Sequence, residues 1–154
     1  MEQIIFTIEE MIDSIRNILD QLNKSNFDPE VIIGINRGGC IPGIYLSHCL
    51  KKPHEVINIS IRDSHKKIDM SKIEEQLNKF NSALIVDDIN DSGKTIGVIK
   101  DLCKNLKINI HFAVLINNSE SSSSIDYYGK KVNSKSKDYW YIFPWENWWN
   151  LNEK

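Results

Sequence analysis

Four short runs rich in β-branched residues set the frame of this chain: VIIGI (31–35), EVINISI (55–61), ALIVDD (83–88) and INIHFAVLI (108–116). Short apolar runs of this kind, closed off by turn residues such as Pro29 and the Gly38-Gly39 pair, read as buried strands. Between them the apolar period lengthens to that of a helix. Residues 7–23 place Ile8, Met11, Ile12, Ile15, Ile18, Leu19 and Leu22 on one face, behind Thr7 and Glu10 at capping-box spacing. Residues 41–50, with Pro42 in the first turn, 71–80 and 94–106 read as further helices. Strand and helix alternate, which calls for an α/β fold with a doubly wound, mostly parallel sheet.

The chain has 154 residues, the size of one domain spanning 1–154 that buries about two-thirds of its unfolded surface. A formal charge of -2 carries no global basic field for nucleic acid, so an anion site must be local. Cys40, Cys49 and Cys103 lack metal-ligand spacing and are expected as reduced, buried thiols of a reducing, cytoplasmic compartment. The start, MEQIIFTIEEMIDSI, carries acids where a secretory signal carries lysines, and no apolar run approaches the roughly 18 residues of a membrane span. The serine-rich stretch NNSESSSSI (117–125) reads as a solvated surface loop.

ALIVDDINDSGKT (83–95) carries the chemistry. In an open α/β sheet, ligands sit beyond the carboxyl ends of the strands, where the following loop and helix N-terminus offer unpaired amides. Gly93 permits a left-handed backbone, Ser92 and Thr95 supply hydroxyls, and a helix beginning near Lys94 presents a partial positive charge. Together they suit a phosphate monoester. Asp87 and Asp88, acceptors only, suit a vicinal diol or a magnesium ion beside that phosphate. A sugar phosphate satisfies both demands. SGKT is not a Walker A ending, because that motif needs glycine where Asp88 stands. The partial EF-hand pattern also fails, with Ile99 at the closing glutamate position.

The same stretch resembles the phosphoribosyl pyrophosphate motif of type I phosphoribosyltransferases: four apolar residues, two acids, and a loop ending D-[ST]-G-x-T. GINRGG (34–39) resembles the family's pyrophosphate loop, and DYWYIFPWE (138–146) the carboxyl-terminal segment of its xanthine-guanine and hypoxanthine branch. The resemblance implies the type I fold with a small hood built from the terminal segments, its base-binding part at about 126–150. It further implies that Asp87 and Asp88 hold the ribose hydroxyls and Mg2+, and that Asn90, Asp91, Ser92, Gly93, Lys94 and Thr95 wrap the ribose 5′-phosphate. Asp91 would also exchange a proton with N7 of the purine. Arg37, Gly38 and Gly39 would bind pyrophosphate, with a non-proline cis peptide at Asn36–Arg37. A catalytic loop at about 62–71, bearing Arg62, Lys66 and Lys67, would close over the site.

Trp140 falls where the family stacks an aromatic face on the base, and Tyr141 follows with backbone groups for its edge. Trp145, Trp148 and Trp149 are assigned to packing or a subunit interface. Where relatives that take 6-oxopurines carry a lysine for O6, this chain has Asn117 and Asn118, and Asn118 is the expected uncharged donor; Lys130 and Lys131 are alternatives. The resemblance thus implies an Mg2+-dependent purine phosphoribosyltransferase of nucleotide salvage, acting as a homodimer or homotetramer on phosphoribosyl pyrophosphate and a free base, without nucleic acid or membrane. Two other readings stay open: a regulatory protein that senses phosphoribosyl pyrophosphate, and a transferase for a pyrimidine or other base.

Overall fold

The structure is a computed structural model that describes residues 2–59, 69–133 and 139–150. Five strands form a parallel sheet: β2 (Val31–Asn36), β3 (His54–Asn58), β4 (Ser82–Asn90), β5 (Asn109–Asn118) and β6 (Tyr127–Val132), in spatial order β3-β2-β4-β5-β6. The order reverses beside β2, which leaves a crevice beyond the carboxyl ends of β2 and β4.

The expected helices are present. α1 (Ile8–Ser25) starts on the expected capping box, with Thr7 Oγ1 accepting from the Glu10 amide and Glu10 Oε2 from the Thr7 amide. Its buried Met11, Ile15, Ile18 and Leu22 pack, together with α2 (Cys40–Leu50), on the sheet face that carries Ile32, Leu84, Val86 and Leu115. On the opposite face α3 (Met70–Leu77) and α4 (Lys94–Cys103) cover Val31, Ile33, Ile85 and Phe112. Neighbouring residues of one strand enter different cores because side chains alternate across a sheet. Burial on both faces is what made these strands apolar throughout.

Three strands escaped the sequence reading. β1 (Glu2–Ile5) and β7 (Tyr139–Ile142) pair in parallel as a separate two-stranded sheet joining the two ends of the chain, sealed by Phe6 edge-on to Phe143. This is the hood that the resemblance implied. The third, β6, is an edge strand carrying Gly129, Lys130 and Lys131, and it runs parallel to β5 although only residues 119–126 join them. A parallel return usually takes a dozen residues or more and a helix; here the serine-rich segment makes the return through turns and bends. Cys49 is exposed, contrary to the expectation that all three thiols are buried, and all three are free.

Candidate functional site

The carboxyl ends of β2 and β4, the start of α4 and the hood enclose a cleft of about 1500 Å3. A typical small-molecule pocket holds about 300–1,000 Å3, so this one has room for two reactants side by side. Arg37 and Gly38 line one wall, Asp87 through Thr95 the floor, and Tyr139, Trp140, Tyr141 and Glu146 the hood side. Segments far apart in sequence thus meet at one place.

The floor follows from β4. Its apolar run Ala83–Val86 is fully buried, and the polarity changes where the strand leaves the core. Asp87 is 9% exposed and its Oδ1 accepts the Asp88 amide at 3.0 Å. Asp88 Oδ1 in turn accepts the Ile89 amide at 2.7 Å. The chain then turns through Gly93 at φ 84°, a left-handed conformation that suits glycine, and α4 begins at Lys94.

In the neighbouring loop the Asn36–Arg37 peptide is cis, as expected. Arg37 is exposed at the cleft. The two glycines behind it do different work. A Cβ on Gly38 would collide with the Asp88 carboxylate, so this close approach locks the two loops together. A Cβ on Gly39 would strike the Val86 carbonyl oxygen and lie 2.8 Å from the Ile35 amide nitrogen. Gly39 is buried and does not line the cleft; it lets α2 begin directly against the sheet.

Two expected residues are placed otherwise than their assigned roles require. Asn90 is 1% exposed, and its Nδ2 donates to Asn117 Oδ1 and to the Ser123 carbonyl, so its amide serves the loop. Asn118, expected at the base edge, is 2% exposed and lies outside the cleft lining; its Nδ2 donates to Asp91 Oδ1 at 3.1 Å while its Oδ1 accepts the Glu120 amide. The strand end faces the loop beside it rather than the open cleft. Neither lysine alternative lines the cleft, and Lys130 pairs with Glu10 at 3.3 Å. The serine-rich stretch is not a free surface loop, because Ser121, Ser122 and Ser123 hydrogen-bond to the floor of the cleft. Arg62, Lys66 and Lys67 of the expected catalytic loop lie outside the described residues.

On the hood side Trp140 is 44% exposed and borders the cleft with Tyr141. Trp145 stacks on Phe143 with centroids 5.0 Å apart, the packing role expected of it. Trp148 and Trp149 are largely exposed, and Trp149 reaches the cleft wall. Glu146 was not singled out from the sequence, yet its charge acts on Asp88 across the cleft. The signal was available, since it is the one acid within the YWYIFPWE segment (139–146) that borders the cleft.

Comparison with known proteins decides the family. Residues 2–148 match the phosphoribosyl transferase domain. The chain belongs to this family. Among curated relatives, the xanthine-guanine phosphoribosyltransferase of Cereibacter sphaeroides is 29% identical over 133 residues, covering 83% of this chain and 75% of the relative. Among solved structures, the purine phosphoribosyltransferase of Pyrococcus horikoshii superimposes with a TM-score of 0.73 at 29% identity, over 95% of each chain. The xanthine-guanine-hypoxanthine phosphoribosyltransferase of Helicobacter pylori shares the fold, with a TM-score of 0.74 at 20% identity over 97% of each chain.

In this phosphoribosyltransferase the acidic floor bears on metal binding. Among the described residues no three or more His, Cys, Asp or Glu side chains group to hold a metal by themselves. Mg2+ commonly takes one or two carboxylates and draws its other ligands from water and substrate phosphates. The donor chemistry of Asp88, with Glu146 facing it, fits that mode. Burial raises the Asp88 carboxyl to about 6, and the Glu146 charge adds to the shift, partly offset by the Ile89 amide. A cation between them relieves that repulsion.

A pH dependence follows. The folded Asp88 binds its proton more tightly than the unfolded one, so its stabilising contribution is full below about pH 4 and is lost as pH rises through 6. Asp88→Asn keeps the acceptor for the Ile89 amide but cannot ionise. In denaturant unfolding without ligand, the variant should gain on the wild type between pH 4 and pH 7, by up to about 3 kcal/mol. A constant difference across that range would contradict the assignment.

Proposed function

We propose that this protein transfers the 5-phosphoribosyl group of phosphoribosyl pyrophosphate to a 6-oxopurine, giving a nucleoside monophosphate and pyrophosphate in nucleotide salvage. One observation carries the reading: a single cleft gathers the Arg37–Gly38 loop, the acidic strand end, the Asp91–Thr95 turn and the Trp140 face. Each has a partner in such a pair of substrates. The activities named for the Cereibacter sphaeroides and Pyrococcus horikoshii relatives support the purine assignment.

In this reading the amides of the turn and the start of α4 receive the 5′-phosphate. Asp87 and Asp88 accept from the ribose hydroxyls and place C1′, where positive charge develops as the pyrophosphate departs. Arg37 and the amides beside Gly38 face that leaving group. Bound Mg2+ would neutralise pyrophosphate charge, and one or two of the carboxylates Asp87, Asp88 and Glu146 would hold it. Trp140 stacks on the base, and Asp91 takes or returns the N7 proton as the base changes its bonding at N9. The free thiols support a reducing, cytoplasmic setting, and the exposed Ile44 and Tyr45 of α2 support self-association.

The test is pyrophosphate release from phosphoribosyl pyrophosphate and Mg2+ with a panel of bases. Turnover with hypoxanthine, guanine or xanthine is expected. Binding of phosphoribosyl pyrophosphate without turnover of any base would mark a sensor instead. Trp140→Ala should raise the KM for the base about tenfold or more, as loss of a base–aromatic stack worth about 1–3 kcal/mol requires. The KM for phosphoribosyl pyrophosphate should be unchanged.

A further inference from the structure

The connection between β5 and β6 has no part in the chemistry above, yet it grips each residue of the turn from Asn90 to Gly93. Asn90 Nδ2 donates to Asn117 Oδ1 at 2.9 Å and to the Ser123 carbonyl at 2.8 Å, and Asn90 Oδ1 accepts from Ser121 Oγ at 3.0 Å. Asp91 Oδ1 accepts from Asn118 Nδ2. The Ser92 carbonyl accepts from Ser122 Oγ at 2.8 Å and from the Ser122 amide at 3.3 Å. The Gly93 carbonyl accepts from Ser123 Oγ at 2.8 Å. The far end is tied to α4, where Lys100 Nζ donates to the carbonyl and hydroxyl of Ser124.

The contact is close enough to select residues. A Cβ on Gly93 would lie 2.6 Å from Ser121 Oγ, Ser122 Oγ and the Ser123 nitrogen. In a planar trans peptide the N–H points opposite to the C=O. Holding the Ser92 and Gly93 carbonyls on the serine side therefore turns the Gly93 and Lys94 amides away from it, as an anion-binding turn requires. Asn118 is oriented as firmly. Its Oδ1 is engaged by the Glu120 amide, which leaves Nδ2 as the group facing Asp91 and makes the near carboxylate oxygen of Asp91 an acceptor.

We propose that residues 117–123 form a template that holds the phosphate turn in its binding shape before any ligand arrives. Ser122 and Ser123 set the amides of Gly93 and Lys94, and Asn118 is the positioning residue for Asp91. The assignment rests on the proposed function for what the turn binds, but not for the turn being held. Preorganised donors need no rearrangement when charge arrives, which is why such a template favours binding and turnover.

The test compares wild type, Ser122→Ala with Ser123→Ala, Ser122→Ala alone, Ser122→Thr and Asn118→Leu. Hydrogen exchange of the 91–95 amides is followed without ligand, and phosphoribosyl pyrophosphate is titrated by calorimetry. The double-alanine variant should exchange these amides faster and bind phosphoribosyl pyrophosphate about tenfold more weakly, the sum of two lost hydrogen bonds. Ser122→Ala, at an exposed position that leaves the core untouched, should show a smaller change of the same sign, and Ser122→Thr, which keeps the donor, should match wild type. Asn118→Leu should lower kcat about tenfold with phosphoribosyl pyrophosphate affinity kept. Wild-type exchange and affinity in the alanine variants would overturn the template. So would losses that Ser122→Thr shares and that follow thermal stability alone. If wild type binds no phosphoribosyl pyrophosphate while the alanine variants still loosen the turn, the functional reading falls and the template stands.

Discussion

Asp91→Asn should lower kcat by about 10²- to 10⁴-fold, the usual cost of removing a positioned acid or base, with phosphoribosyl pyrophosphate affinity nearly unchanged. The geometry sets that split. Asp91 lines the cleft at the first residue after β4, whereas the amides proposed to face the phosphate belong to the residues that follow it. Asparagine preserves the shape and an acceptor for Asn118 Nδ2, so the turn should stay in place. What disappears is the capacity to exchange a proton. Pre-steady-state turnover and calorimetric titration of phosphoribosyl pyrophosphate measure the two quantities separately. A loss of affinity as large as the loss of turnover, in a variant with unaltered unfolding, would transfer Asp91 from proton transfer to phosphate binding.

The sheet and its helices were legible because the physics that forms them is local. Val31–Ile35 and Ala83–Val86 are buried on both faces, and such strands advertise themselves as unbroken apolar runs. The Thr7–Glu10 capping box marks a helix start through contacts three residues apart. β1, β6 and β7 had no such mark. β1 and β7 are four residues each and exist through pairing with the opposite end of the chain, a partner that no local window contains. β6 lies at an edge, where lysines and a glycine are tolerated and the apolar signal weakens.

The site divides along the same line. Asp87–Thr95 announced itself because one continuous turn carries the acids, the glycine and the hydroxyls that a sugar phosphate needs. The serine-rich segment was misread because composition treats hydroxyls as surface groups, while these satisfy carbonyls some thirty residues away, such as Ser122 Oγ on Ser92. Asn118 shows the limit of reasoning from position. It is the last residue of β5, and there the Glu120 amide decides which way its side chain points. Glu146 became visible only once the hood brought it opposite Asp88.

The adjacent glycines Gly38 and Gly39 should separate function from folding when each is changed to alanine. On Gly38 the added methyl meets three atoms of one side chain, the carboxyl group of Asp88. A side chain can swing away, so the fold should survive, but Asp88 then leaves the floor on which, in the proposed function, ribose hydroxyls and Mg2+ would depend. Turnover should fall by about 10²-fold or more, as catalytic groups displaced by 1 Å commonly lose. On Gly39 the methyl meets the Val86 carbonyl and the Ile35 amide, both backbone within the buried sheet. Those atoms cannot move without parting β2 from β4 or lifting α2. The expected cost is about 3 kcal/mol, at the upper end for overpacking, or roughly 6–12 °C in Tm for a chain of this size. Thermal unfolding and turnover of both variants give the comparison. Equal destabilisation by the two substitutions would mean that the Gly38–Asp88 contact is as rigid as the sheet, and the acidic floor would then be structural rather than poised to take a ligand.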